Sequence, residues 1–88
     1  MLYLMHWIAA PEDRDECFAR FKEKGHQLTP GVKIVKALFA LSQQEGWLVL
    51  DADSPVDMSE WLYKWSDIND HEVFPVIDEE EFRSVIGA

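Results

Sequence analysis

His6 stands alone as a polar residue in an apolar run from Leu2 to Ile8. An imidazole titrates near neutral pH, so a histidine fixed in an apolar strand is a candidate general base or ligand contact. The plainer reading is a hydrogen-bonded core or interface histidine, and it has the better claim because structural networks also perturb such groups. Trp61 and Trp65 lie one helical turn apart. They can line an aromatic ligand pocket, although such a stripe is what ordinary helix packing requires. His6, Trp61 and Trp65 are therefore the candidate ligand-binding set. Asp67, Asp70, His71 and Glu72 group oxygen ligands with one imidazole, the donors a divalent cation takes. Their spacing matches no known site, and the segment reads as a solvated turn with Asp67 and Asp70 as local caps. No metal site is assigned. Cys17 falls on a buried stripe without a basic neighbour fixed by spacing, so it reads as an inert thiol. There is no phosphate loop and no nucleophile elbow. No catalytic residue is named, and no cofactor is expected.

The chain that must hold these residues has 88 positions, one domain over residues 1–88. A chain this short is marginal alone. Yet 48% of it is hydrophobic and four residues are Trp, more than so small a core needs, so part is expected to face a second chain. Eight basic against 17 acidic residues give a formal charge of −9. That surface repels phosphate backbones and anionic lipids, so neither nucleic acid nor membrane is an expected partner. A single cysteine allows no intrachain disulfide and fits a reducing, cytoplasmic setting. The N-terminal apolar run stops at Pro11 and has no basic flank, unlike a signal peptide or a membrane span.

Leu2 to Ile8 reads as a strand buried on both faces. Leu2, Leu4, His6 and Ile8 share one side; Tyr3, Met5 and Trp7 share the other. Pro11 opens a helix that ends at Gly25, with acids first and bases last. Val32 to Leu41 is a second strand, with Lys33 and Lys36 on opposite faces as edge protection. After a turn at Ser42 to Gly46, Trp47 to Leu50 is a central strand. Ser54, Pro55 and Asp57 start a helix that buries Met58, Trp61, Leu62 and Trp65. Glu72 to Ile77 is a fourth strand, and Pro75 confines it to an edge. Asp78 and Glu81 make a capping box for a last short helix presenting Phe82, Val85 and Ile86.

The order β-α-β-β-α-β with right-handed crossovers gives an α+β, ferredoxin-like plait with antiparallel strand order 4-1-3-2. The lysine- and proline-bearing strands then become edges, and the two apolar runs become central. Two helices cover one face. The other face is apolar too, which marks a protein contact. A two-fold homodimer packed through that open sheet face, the dimeric α/β barrel, is the expected assembly.

Met1-Leu-Tyr-Leu-Met5, Arg20-Phe-Lys-Glu-Lys-Gly25, Pro30-Gly-Val32, Trp61-Leu-Tyr-Lys-Trp-Ser-Asp67 and Glu72-Val-Phe-Pro-Val76 together resemble a bacterial family, domain of unknown function 3303. The likeness covers nearly the whole chain. It implies the dimeric α/β barrel architecture and supplies no mechanism. His6 stands where that family more often carries a small polar residue.

The leading functional reading is a small homodimeric binding or interaction module, with a small apolar ligand as a possible partner. The alternative is a cofactor-free enzyme resembling the monooxygenases or isomerases of the α/β barrel superfamily, an argument from fold analogy. An RNA-recognition module of the same topology needs basic flanks, and the charge opposes it. A cavity beneath the helices separates the first two readings: a closed core favours interaction, and an accessible space favours a ligand.

Overall fold

Strand β1 (Leu2–Ile8) is the spine of the molecule, paired antiparallel on one side with β3 (Glu45–Ala52) and on the other with β4 (Asp70–Val76). The remaining strand, β2 (Val32–Phe39), pairs with β3. The order is β2-β3-β1-β4, the expected 4-1-3-2 read from the other edge. Helices α1 (Arg14–Lys24) and α2 (Pro55–Tyr63) cross over one face, and α3 (Glu79–Ile86) closes the chain. The computed structural model describes all 88 residues.

Local chemistry accounts for these elements. Pro11 begins a single 3-10 turn ahead of α1, where a missing N–H costs nothing. Lys22 and Lys24 end α1 at the negative end of its dipole, and Gly25 stops it with a φ of 65°. Ser54 accepts the Asp57 backbone N–H at 3.1 Å to start α2. Asp78 and Glu81 form the reciprocal capping box of α3, and Gly87 ends it in the left-handed region. Gly46 is paired with Trp7 across β1 and β3. A Cβ there would lie 2.5 Å from the Trp7 indole nitrogen, so only glycine lets that ring lie over the strand.

Several boundaries differ from the sequence expectation. β2 ends at Phe39 because Ala40–Gln43 already turn, with Gln43 at a φ of 68°. β3 runs two residues further at each end than its apolar run, and β4 begins at Asp70. α2 stops at Tyr63, and Trp65 sits in the tighter turns that follow, its N–H bonded to the Leu62 carbonyl at 3.1 Å. A bulge between Ile34 and Lys36 shifts the β2 register. It puts Lys33, opposite Asp51, and Lys36, opposite Val49, on the same face. The expectation of opposite faces assumed unbroken alternation, which the extra residue defeats.

The core lies between sheet and helices. Tyr3, Met5 and Trp7 of β1, Leu48, Leu50 and Ala52 of β3, and Met58, Trp61, Trp65 and Ile68 from the α2 side are all buried. The opposite face carries Leu2, Leu4, His6 and Ile8 beside Trp47 and Val49. No helix covers it. α3 buries none of its residues. No helix is long and apolar enough to cross a membrane.

Candidate functional site

The space between the sheet and the two helices is incompletely filled. A half-open cavity of about 70 Å³ remains there. Met5, Trp7 and Leu48 form its floor, on the sheet. Cys17, Phe18 and Phe21 of α1 and Trp61, Leu62 and Trp65 from the α2 side form its walls. Phe21 and Phe39, each partly exposed, stand edge to face at 6.5 Å on its rim. The polar lining groups are Asn69, His26 and His71.

The loop after α1 is pinned onto the end of α2. The His26 carbonyl accepts both indole N–H groups, from Trp61 at 2.8 Å and from Trp65 at 3.0 Å. One backbone oxygen thus satisfies two buried donors and fixes both rings. Lys64 Nζ donates to the Gln27 carbonyl at 3.0 Å. The His26 ring meets Phe21 edge to face at 4.8 Å. Arg20 reaches from α1 to the turn after α2. It donates to both Asp67 oxygens, at 2.9 and 2.8 Å, and to the Lys64 carbonyl at 3.0 Å. Its guanidinium also lies 5.5 Å from the centre of the Trp65 ring. The paired guanidinium holds the Asp67 carboxyl below its usual range, and the carboxylate raises the Arg20 pKa in turn.

Burial lowers the pKa of His26. Burial also lowers that of His71, against the opposing pull of the Asp70 carboxylate. Both imidazoles are therefore neutral at pH 7, each with one N–H to donate and one lone pair to accept. The Cys17 thiol is pushed up by burial, and it donates weakly to Asn69 Oδ1 at 3.5 Å. It is held as a thiol, which is a poor nucleophile.

Of the three residues picked from sequence, Trp61 and Trp65 line this cavity and His6 does not. His6 belongs to the alternation set of Leu2, Leu4 and Ile8, and the helices cover the other set. Its ring stacks flat on Trp47, 5.0 Å between centres and 4° between planes, on the open face. Its Nε2 is 3.8 Å from Glu45 Oε1 and makes no hydrogen bond. The grouping of His6 with the two tryptophans is corrected accordingly. The turn cluster also comes apart. Asp67 is held by Arg20, His71 enters the cavity, and no three such side chains converge. His71 carried a legible signal, because a strand begun at Asp70 places it with Val73 on the helix side. His26 carried none, since spacing does not tell which carbonyl two indoles will find.

The model of a family described as a domain of unknown function, DUF3303, matches residues 1–88. Among solved structures, a protein provisionally named an antibiotic biosynthesis monooxygenase, from Nitrosomonas europaea, is 13% identical with a TM-score of 0.53, over 89% of this chain and all of that one. Rv0793 from Mycobacterium tuberculosis is 11% identical with a TM-score of 0.51, over 89% of this chain and 95% of that one. A Deinococcus radiodurans protein, also provisionally named an antibiotic biosynthesis monooxygenase, is 8% identical with a TM-score of 0.51, over 89% and 94%. The superpositions show a shared fold, and at identities this low they show the fold alone. No curated protein matches the sequence.

Proposed function

The chain belongs to the DUF3303 family, and we propose that it is a homodimeric module that binds a small uncharged ligand in the cavity beneath its helices. The observation that carries this reading is an apolar slot, open at one side, containing two neutral imidazoles. Binding sites are concave and mostly apolar, with a few polar groups to fix orientation. The dimer forms through the open sheet face, where Leu2, Leu4, Ile8, Trp47 and Val49 lie without a covering helix. One face of the sheet then serves the ligand and the other serves the partner.

Phenol is a suitable probe, since it is one uncharged ring with one hydroxyl; a site that encloses such a ring takes about 150 Å³, so phenol would enter the slot in part and rest against the rim at Phe21 and Phe39. Benzoate is its charged counterpart. Titration calorimetry at pH 7.5 should detect phenol binding, with benzoate weaker by at least about tenfold because no Lys or Arg lines the slot. Leu62→Trp, which adds bulk at a lining position, should abolish the phenol signal while leaving the far-ultraviolet circular dichroism unchanged. Equal binding of both probes, or phenol binding untouched by Leu62→Trp, would refute the site.

A cofactor-free enzyme is the second reading. The two neutral imidazoles favour it, because either has the protonation state a general base needs. The names of the Nitrosomonas europaea and Deinococcus radiodurans neighbours point the same way by analogy of fold. Turnover that survives His6→Ala and is lost in His71→Ala would favour it over binding alone.

A further inference from the structure

α3 is a well-made helix with nothing to lie on. It has a complete capping box and a left-handed glycine stop. Every hydrogen bond and ion pair of residues 78–88 is internal to that segment. Phe82, Val85 and Ile86 fall on one stripe, at spacings of three and four, and all three are exposed. An eight-residue helix is marginal in water without packing. The stripe therefore calls for a cover that this chain does not give it.

We propose that α3 is an arm that docks on a second copy of this chain, laying that stripe over the β2 edge of the second copy's open sheet face. The inference rests on the sheet-to-sheet dimer proposed above and adds where its arms go. Three observations choose the occupant. The first is position. β4 and β2 are the two edges of the sheet. A two-fold axis running along the strands puts β4 of one copy opposite β2 of the other, with like ends together. α3 leaves the end of β4 that holds Val76, and Lys33 lies at that same end of the sheet, since Val76 pairs with Leu2, Leu2 with Asp51, and Asp51 with Lys33. The second is apolar match. The β2 edge exposes Val35 at its bulge and Leu38 three residues further along.

The third is charge. Residues 78–81 read Asp-Glu-Glu-Glu, and Arg83 is the only cation of the helix. On β2 Lys33 faces the open side and the bulge brings Lys36 to that same side, and neither forms an ion pair within the chain. Opposite charges at the rim of an apolar contact set register and partner choice. The arm also accounts for the shape of the chain. It exposes 6032 Å², against about 5,300 Å² for a folded monomer of this mass. Its radius of gyration is 14.3 Å, against about 12 Å for a compact domain of this length.

Sedimentation equilibrium on the full chain separates the two proposals. A parent chain that stays monomeric at micromolar concentration overturns both. With the parent dimeric, Val85→Glu/Ile86→Glu should raise the dimer dissociation constant at least about tenfold. Lys33→Glu/Lys36→Glu should also raise it, and adding Glu79→Lys/Glu80→Lys to that variant should recover most of the loss. These side chains are exposed, so circular dichroism should show the fold intact in each. An unchanged dissociation constant in the Val85/Ile86 variant, or no recovery on the double charge swap, overturns the arm and leaves the dimer standing.

Discussion

His26 and His71 carry the strongest single-residue consequence of the fold. Both are held neutral by burial, so their folded pKa values lie below the unfolded value of about 6.5. The unfolded chain then binds protons that the folded chain refuses, and stability rises with pH across that window. The contribution is complete above about pH 6.5 and is lost as pH falls toward the folded values. The urea midpoint should accordingly fall between pH 7.5 and 5.5, and the fall should shrink in His26→Gln/His71→Gln. A midpoint as steep with pH in that variant as in the parent would show that the imidazoles are not the cause. Trp65 is structural as well as part of the cavity wall. It is buried, donates to the His26 carbonyl and lies under Arg20. Trp65→Ala should cost about 3–5 kcal/mol, much of the stability of so small a domain. An unchanged melting temperature would contradict that placement. At this scale the sequence was half legible. The tryptophan stripe announced Trp61 and Trp65, but period two groups residues without saying which group meets the helices, so the side of His6 was left open by its sequence.

Elements were easier to read than their edges. The apolar runs marked β1 and β3 as central, and Pro75 marked β4 as an edge, because a missing N–H is tolerated only there. Capping chemistry located the starts of α2 and α3 to the residue. What failed was continuity: a bulge is one extra residue that leaves no mark in an apolar pattern, and it moved Lys36 to the face of Lys33. The end of α2 failed for a related reason, since Trp65 keeps helical spacing while the backbone has already tightened past Tyr63. The β1–β3 contact makes its own prediction. Gly46→Ala would put a methyl 2.5 Å from Trp7 Nε1 and 2.8 Å from the Leu38 carbonyl oxygen. Overpacking of this kind costs about 1–3 kcal/mol, and chemical denaturation should show a loss in that range. A neutral outcome would mean that the Trp7 ring does not rest on β3.

Over the whole molecule, one sheet separates two kinds of surface. Its helix side is a core with a gap, and its other side carries an apolar patch of Leu2, Leu4, Ile8, Trp47 and Val49 among charged neighbours, with no cover within the chain. The strand order behind this arrangement was readable because crossovers between parallel strands of one sheet are, as a rule, right-handed. The gap was not readable, since it depends on how closely particular side chains meet. The chain supplies its own reporters for the division. Trp7, Trp61 and Trp65 line the cavity, whereas Trp47 stacks on His6 across the sheet. Each gives one indole N–H signal in a nitrogen–proton correlation spectrum. Titrating phenol into the nitrogen-labelled protein at pH 7.5 should move the signals of Trp7, Trp61 and Trp65 together, along one saturable curve, and leave that of Trp47 in place. A shift confined to Trp47, or no shift in any of the four, would contradict a ligand site beneath the helices.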